Sequence, residues 1–206
     1  MTYFRISAPV HRAAAAKDSR FSLASIGAFF PRKGGEGVLA ATDGKMLAAV
    51  PATVVDRGTL APMALLPLPA VKAAKFTAKN PMPAIAVDGN MARADKSDAA
   101  YPLPEGTFPP VVEVLPTDAR IESGRAFALN AFMLAKLAEA IGSADGVVTV
   151  IFDADGNRPM TVTCKETDAV GVLMPCAVPA SAQTTAITRL SAIRTVIRAA
   201  EADAKA

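Results

Sequence analysis

One pattern occurs three times along the 206 residues: a short strand, a helix opened by proline or a polar cap, then strands joined by a turn built on Asp and Gly. In the first copy, residues 3–7 alternate as a strand does. Residues 8–17 predict a helix, with Ser7 as N-cap, Pro9 in the first turn and an alanine run behind it. Residues 21–30 read as a strand stopped by Pro31, and residues 38–41 and 47–50 are the arms of a hairpin on Asp43-Gly44. Asp-Gly between apolar runs is a strong hairpin signal. Both central residues of a type I′ turn need positive φ, which Asp and Gly tolerate.

The second copy has a strand at 62–66, a proline-led helix at 69–79, a hairpin of 84–87 with 91–94 around Asp88-Gly89-Asn90, and a strand at 99–103. Five prolines between residues 102 and 116 then make an extended connector, since proline fixes φ and cannot donate to a ladder. The third copy has a strand at 126–129, Asn130 as N-cap of a helix at 131–141, and Gly142 at the position just past its end. A hairpin of 147–152 with 160–165 turns on residues 153–157, and a strand at 169–174 is stopped by Pro175. Residues 184–204 form a separate amphipathic helix, with Ile187, Leu190, Ile193 and Ile197 near one face and Arg189, Arg194 and Arg198 elsewhere.

The chain therefore reads as an α+β protein of three β-α-β-β-β units, each of about 55–60 residues, with helices on one face of antiparallel sheets. A single unit buries its helix and sheet faces poorly, and stacked units would bury them together. The organisation follows: two units in residues 1–117, a third in 118–180, and a helical tail in 181–206.

Composition narrows the function classes. Half the residues are apolar (51%), which suits a globular chain rather than a disordered one. A net charge of +3 with a pI near 9.0 is compatible with a polyanionic partner. Cys164 and Cys176 are too few for a secreted disulfide framework. They flank one hairpin, where either a bridge or a pair of buried free thiols can be accommodated, and the thiols are the favoured reading. No signal peptide is visible, and the most apolar stretch, 60–71, is short and broken by Pro62, Pro67 and Pro69. The expected compartment is the cytoplasm. No Gly-rich phosphate loop or metal cluster is present, and His11 is the single histidine, so neither an enzyme nor a cofactor is implied. Asp153, Asp155 and Asn157 lack the glycine placement and the glutamate of a calcium loop.

Three stretches together resemble the bacterial sliding clamp, the beta subunit of DNA polymerase III. Ala41-Thr42-Asp43-Gly44-Lys45-Met46-Leu47 is similar to a clamp hairpin, Phe108-Pro109-Pro110-Val111 through Val114-Leu115-Pro116 to the link after the clamp's middle domain, and Val172-Leu173-Met174-Pro175-Cys176 to its C-terminal end. They occur in the family's order. By this resemblance residues 1–116 look like the whole middle domain, and 120–178 like the second half of the last one. The first domain and the first half of the last have no counterpart. Lys45-Met46 replaces a histidine-arginine pair, Pro110-Val111 replaces aspartate-tyrosine, and the chain continues past Cys176 to residue 206.

The resemblance implies a groove for short peptides of polymerases and clamp loaders. It would be lined by Thr42, Gly44, Lys45, Met46 and Leu47, by Pro67 and Val71, and by Val172, Leu173, Met174, Pro175 and Cys176, with Phe132 and Met160 nearby. It also implies duplex DNA held without sequence readout by Arg12, Lys17, Arg20, Lys72, Lys75, Lys79 and Lys136, through phosphate contacts. Lys72, Lys75 and Lys79 share one face if their segment is helical. Clamp rings of the family hold twelve such half-domain units. Four chains of three would supply them, and a fourth unit hidden in the tail would favour a trimer. The competing expectation is a clamp-fold interaction module that does not encircle DNA.

Overall fold

Strands β1 (Thr2–Ile6), β2 (Ser25–Phe29), β3 (Glu36–Thr42) and β4 (Leu47–Asp56) continue into β5 (Met63–Pro67), β6 (Ala84–Asp88), β7 (Met91–Ala94) and β8 (Tyr101–Pro102). They form one antiparallel sheet in the order β5-β2-β3-β4-β1-β6-β7-β8. The computed structural model describes residues 1–15, 24–58, 60–122, 126, 128–152 and 158–206. Two compact units result, one of Met1–Pro116 with Thr188–Ala206, the other of Thr117–Ile187.

The order of the large sheet shows how two copies of the repeat combine. β1 belongs to the first copy, yet it lies between its own β4 and β6 of the second, with Phe4 opposite Ile85. β5 opens the second copy, yet it pairs with β2 of the first, with Ile26 opposite Leu66. Each half lends its first strand to the second strand of the other.

Strands β2 and β3 are buried almost throughout, because both faces of the sheet are covered. Successive side chains point to opposite faces. Ile26, Ala28, Phe30, Leu39 and Ala41 join Phe4, Ile6, Val10, Val71 and Ile85 in one core. Phe29, Val38, Ala40 and Leu65 join Phe108, Val111, Ile197 and Ala200 in a second. Each large apolar side chain so buried contributes about 1.5–3 kcal/mol. On the first face the Phe4 and Phe30 rings meet at 4.7 Å between centroids.

Both helices of this unit are shorter than their sequences predict. Among the described residues of the predicted segment, 8–15, the chain makes a 3-10 turn, Val10–Ala13, after which Ala14 is extended. The second helix, α1 (Leu68–Ala73), ends where the Ala74 N–H turns back to the Val71 carbonyl at 3.3 Å. Phe76 then packs against the core, and tertiary burial overrides the helix propensity of the following residues.

The connector after β8 carries one helical turn, α2 (Val111–Val114). The tail is one helix, α5 (Ala182–Lys205), whose residues from Thr188 onward group with the first unit. Its Ile193, Val196, Ile197 and Ala200 cover the second sheet face.

The second unit holds α3 (Asp118–Glu122), α4 (Ala131–Ala140), β9 (Thr149–Ile151), β10 (Met160–Thr163) and β11 (Val170–Leu173), the strands in the order β11-β10-β9. Ala128 bridges antiparallel to Cys176, just beyond β11. Asn130 caps α4 as its sequence predicts, its Oδ1 accepting the Phe132 and Met133 N–H at 3.1 and 3.2 Å. Gly142 follows with φ +79°. The core is small: Ile141, Val162 and Leu173, with Leu134, Leu137 and Val150 against them. Both cysteines are free, as expected, but they are not buried: Cys164 is half-buried and Cys176 exposed. Among the described residues, no helix is long and apolar enough to cross a membrane.

Candidate functional site

The turn between β3 and β4 is held by its own side chains. Thr42 pairs with Leu47, leaving a four-residue loop rather than the two-residue type I′ turn that Asp43-Gly44 predicts. The Asp43 carboxylate accepts the N–H groups of Lys45 and Met46, both at 2.9 Å. Thr42 Oγ1 donates to the Met46 carbonyl at 2.6 Å and accepts the Gly44 N–H at 3.0 Å. Gly44 alone in this loop takes positive φ, +88°. The two backbone donors of Met46 and Lys45 hold the Asp43 carboxyl below its ordinary range.

This ordered loop forms one wall of a cavity of about 270 Å³. Thr42, Gly44, Lys45, Met46 and Leu47 line that side, and Phe108, Pro109, Pro110, Val111 and Val114 line the other. Phe108 and Val111 are buried and form the floor. Met46 (56% exposed) and Val114 (67% exposed) stand at the rim. The proline pair fixes the backbone that carries Phe108 and Val111. Phe108 lies flat on β2 because residue 27 is glycine: a Cβ there would come within 2.6 Å of its ring. An apolar floor with exposed apolar rims and few polar groups suits an apolar peptide side chain.

The other residues expected at the groove are placed differently. Pro67, at the end of β5, and Val71, on α1, are both buried, Val71 fully and within the first core. They do not line this cavity. Met160 and Leu173 face each other across β10 and β11, and both are buried. Alternation along the strands turns them inward. Their neighbours Val172 and Met174 point outward and are exposed, as are Phe132 and Cys176, while Pro175 is half-buried. These lie in the second unit, whereas the cavity belongs entirely to the first. In the sequence, Phe108, Pro109, Pro110, Val111 and Val114 read as a link rather than as a groove wall. Their signal was a Phe-Pro-Pro-Val run placing apolar groups on a backbone stiffened by proline.

Basic residues gather on the side of the 3-10 turn and α1. His11 is held below its ordinary value of 6.5, first by burial, then by the charges of Arg12 and Lys72. Arg12 and Lys72 are exposed. Lys75 and Lys79 are exposed too, but both lie past the end of α1, so the helical i, i+3, i+7 face does not exist. Lys136 is exposed on α4. Lys17 and Arg20 lie outside the described residues, as do Asp153, Asp155 and Asn157.

The lowered His11 value carries a pH signature. The fold favours the neutral ring, so this contribution to stability is complete above 6.5 and is lost as pH falls from there toward the folded value. The His11 resonance is expected to titrate below 6.5, and Lys72→Ala to raise its midpoint. An unchanged midpoint in that variant would show that Lys72 does not act on the ring.

No protein-family model matches the sequence, and neither does any curated protein. Solved structures do match. The chain superposes on the Caulobacter crescentus beta sliding clamp with a TM-score of 0.57 at 18% identity, covering 81% of this chain and 46% of that one. For the Bacillus subtilis DNA polymerase sliding clamp the values are 0.60 and 11%, with 93% and 55% covered. For the Helicobacter pylori beta clamp bound to a DNA ligase peptide they are 0.58 and 14%, with 93% and 57% covered. The fold is the sliding-clamp fold. The chain spans about half the length of the clamps it matches.

Proposed function

We propose that this chain is a shortened sliding clamp. It binds rather than catalyses, closes around duplex DNA as a homo-oligomer in the cytoplasm, and tethers replication proteins by a short apolar peptide. The observation that supports this most is the cavity between the Thr42–Leu47 hairpin and residues 108–114 on a clamp-fold unit. A peptide's apolar side chain would rest on Phe108 and Val111, with Met46 and Val114 closing over it. Backbone groups of the turn stay fixed by Asp43, so the loop loses little freedom on binding.

DNA would meet the basic side of the first unit, where Arg12 and Lys72 flank His11. Such contacts neutralise phosphates without reading bases, as sliding requires. Four chains of three half-units would make the twelve-unit ring.

Two binding assays test the reading. Fluorescence anisotropy with a DNA ligase peptide should show saturable binding that Met46→Asp with Val114→Asp weakens by about tenfold or more. Arg12→Glu with Lys72→Glu should weaken duplex binding and lower its salt slope by about 2, one per lost phosphate contact. Peptide binding with no duplex binding under any salt condition would favour the interaction module that does not encircle DNA.

A further inference from the structure

The second unit is half of what the first unit shows to be a complete domain. In the first unit, each half places its opening strand beside the second strand of the other: β1 beside β6, and β5 beside β2. α1 reaches across to β2 and to the 3-10 turn of the other half, and one core closes between them. The second unit repeats one half strand for strand. The first copy runs β2-β3-β4-β1, and the third runs β9-β10-β11 followed by the bridge at Ala128.

Among the described residues, the edges that should receive the other half carry no further strand. Among the described residues, β9 pairs only with β10 and Ala128 bridges only to Cys176. The first turn of α4 carries Phe132, 84% exposed, and Met133, 57% exposed, while its Leu134 and Leu137 pack on its own small core. The small cluster of Ile141, Val162 and Leu173 is what a single half can close alone. An unpaired strand edge beside exposed apolar groups is a template for another strand.

We infer that the second unit pairs with the second unit of another copy of this chain. The segment at Ala128 of one copy runs antiparallel to β9 of its partner, and the reverse, with the two α4 helices packed between the sheets. The requirement is self-complementary: each half lacks what an identical half supplies. Identical contributions of this kind form an isologous two-fold interface. The inference rests on the strand pairing of the first unit and stands whether or not the chain binds DNA. It gives assemblies of even number and excludes a symmetric trimer.

Sedimentation velocity on the full chain tests it, with the double variant Phe132→Asp/Met133→Asp. Both side chains are exposed, and acidic residues suit the first turn of a helix, so the monomer fold is retained. The wild type is expected to sediment at twice the chain mass of 21.2 kDa or an even multiple of it. The variant is expected to halve that mass or weaken association by about tenfold or more. Hydrogen exchange supplies an independent readout: amides of β9 and of residues near Ala128 should gain protection as concentration rises. A monomer at all concentrations, a mass that the variant leaves unchanged, or protection that spares β9 would overturn the inference.

Discussion

Gly27→Val is expected to lower peptide affinity at the first unit's cavity and to destabilise that unit by about 1–3 kcal/mol. The reason is steric. Residue 27 is on β2, and the ring of Phe108 occupies the space a side chain would need, with ring atoms 2.6–2.9 Å from an added Cβ. Valine forces Phe108 off the sheet, and Val111 loses the neighbour that completes the cavity floor. Urea unfolding and peptide anisotropy on the same protein read both consequences. A double-mutant cycle with Phe108→Ala adds a sharper check. Once the ring is gone the valine has room, so the double variant should lose less than the sum of the two singles. Additive losses would show that Phe108 does not rest on Gly27.

Ile197→Ala is expected to cost about 2–5 kcal/mol, the largest effect of any single truncation in the tail. Ile197 is fully buried against Phe29, Val38, Ala40 and Leu65. Neighbouring polar contacts hold α5 in register: Arg194 donates to the Pro116 carbonyl at 2.8 Å, and the Arg32 N–H donates to the Asp203 carboxylate. Without Ile197 these contacts frame a void on the sheet. Arg198→Ala, one residue on and exposed, should change stability by less than about 0.5 kcal/mol. Equal unfolding midpoints for the two variants would mean that α5 is not part of the folded unit.

The tail shows what sequence patterning could and could not convey. Ile187, Leu190, Ile193 and Ile197 announce an apolar stripe on the helix; Ile197 is buried and Ile193 packs half-buried beside it, whereas Ile187 and Leu190 are half-buried outside that core. What it covers was not legible. Val38 to Ala41 form an unbroken apolar run, and such a run marks a strand buried on both faces. It says nothing of which element lies on each. The hairpins were legible because Asp and Gly act locally: β3-β4 and β6-β7 turn where Asp43-Gly44 and Asp88-Gly89 stand. The detail at Asp43 was not, since a carboxylate that captures two N–H groups draws four residues into the loop.

Helix lengths went the other way. The alanine run after Pro9 and the lysines after Pro69 favour helix locally, but packing ends both segments within about two turns. That loss dissolved the lysine stripe. The exchange of β1 and β5 between halves depends on contacts between distant segments, and no local signal encodes it. The candidate site was half legible. The hairpin wall of the cavity carries a motif in the sequence, whereas the prolines of residues 102–116 mark Phe108 to Val114 as a connector and hide its apolar floor. Prolines also fix where apolar neighbours stand, and here they set the floor of the cavity.

Encirclement is the claim on which the function turns, and DNA topology tests it most directly. The protein is incubated with a nicked circular duplex and passed through gel filtration at a salt concentration that disrupts phosphate contacts. A closed ring predicts that protein remains with the circle and is released when the circle is cut once, because it slides off the ends. Equal retention on circular and linear DNA, or loss from both, would contradict a ring around the duplex.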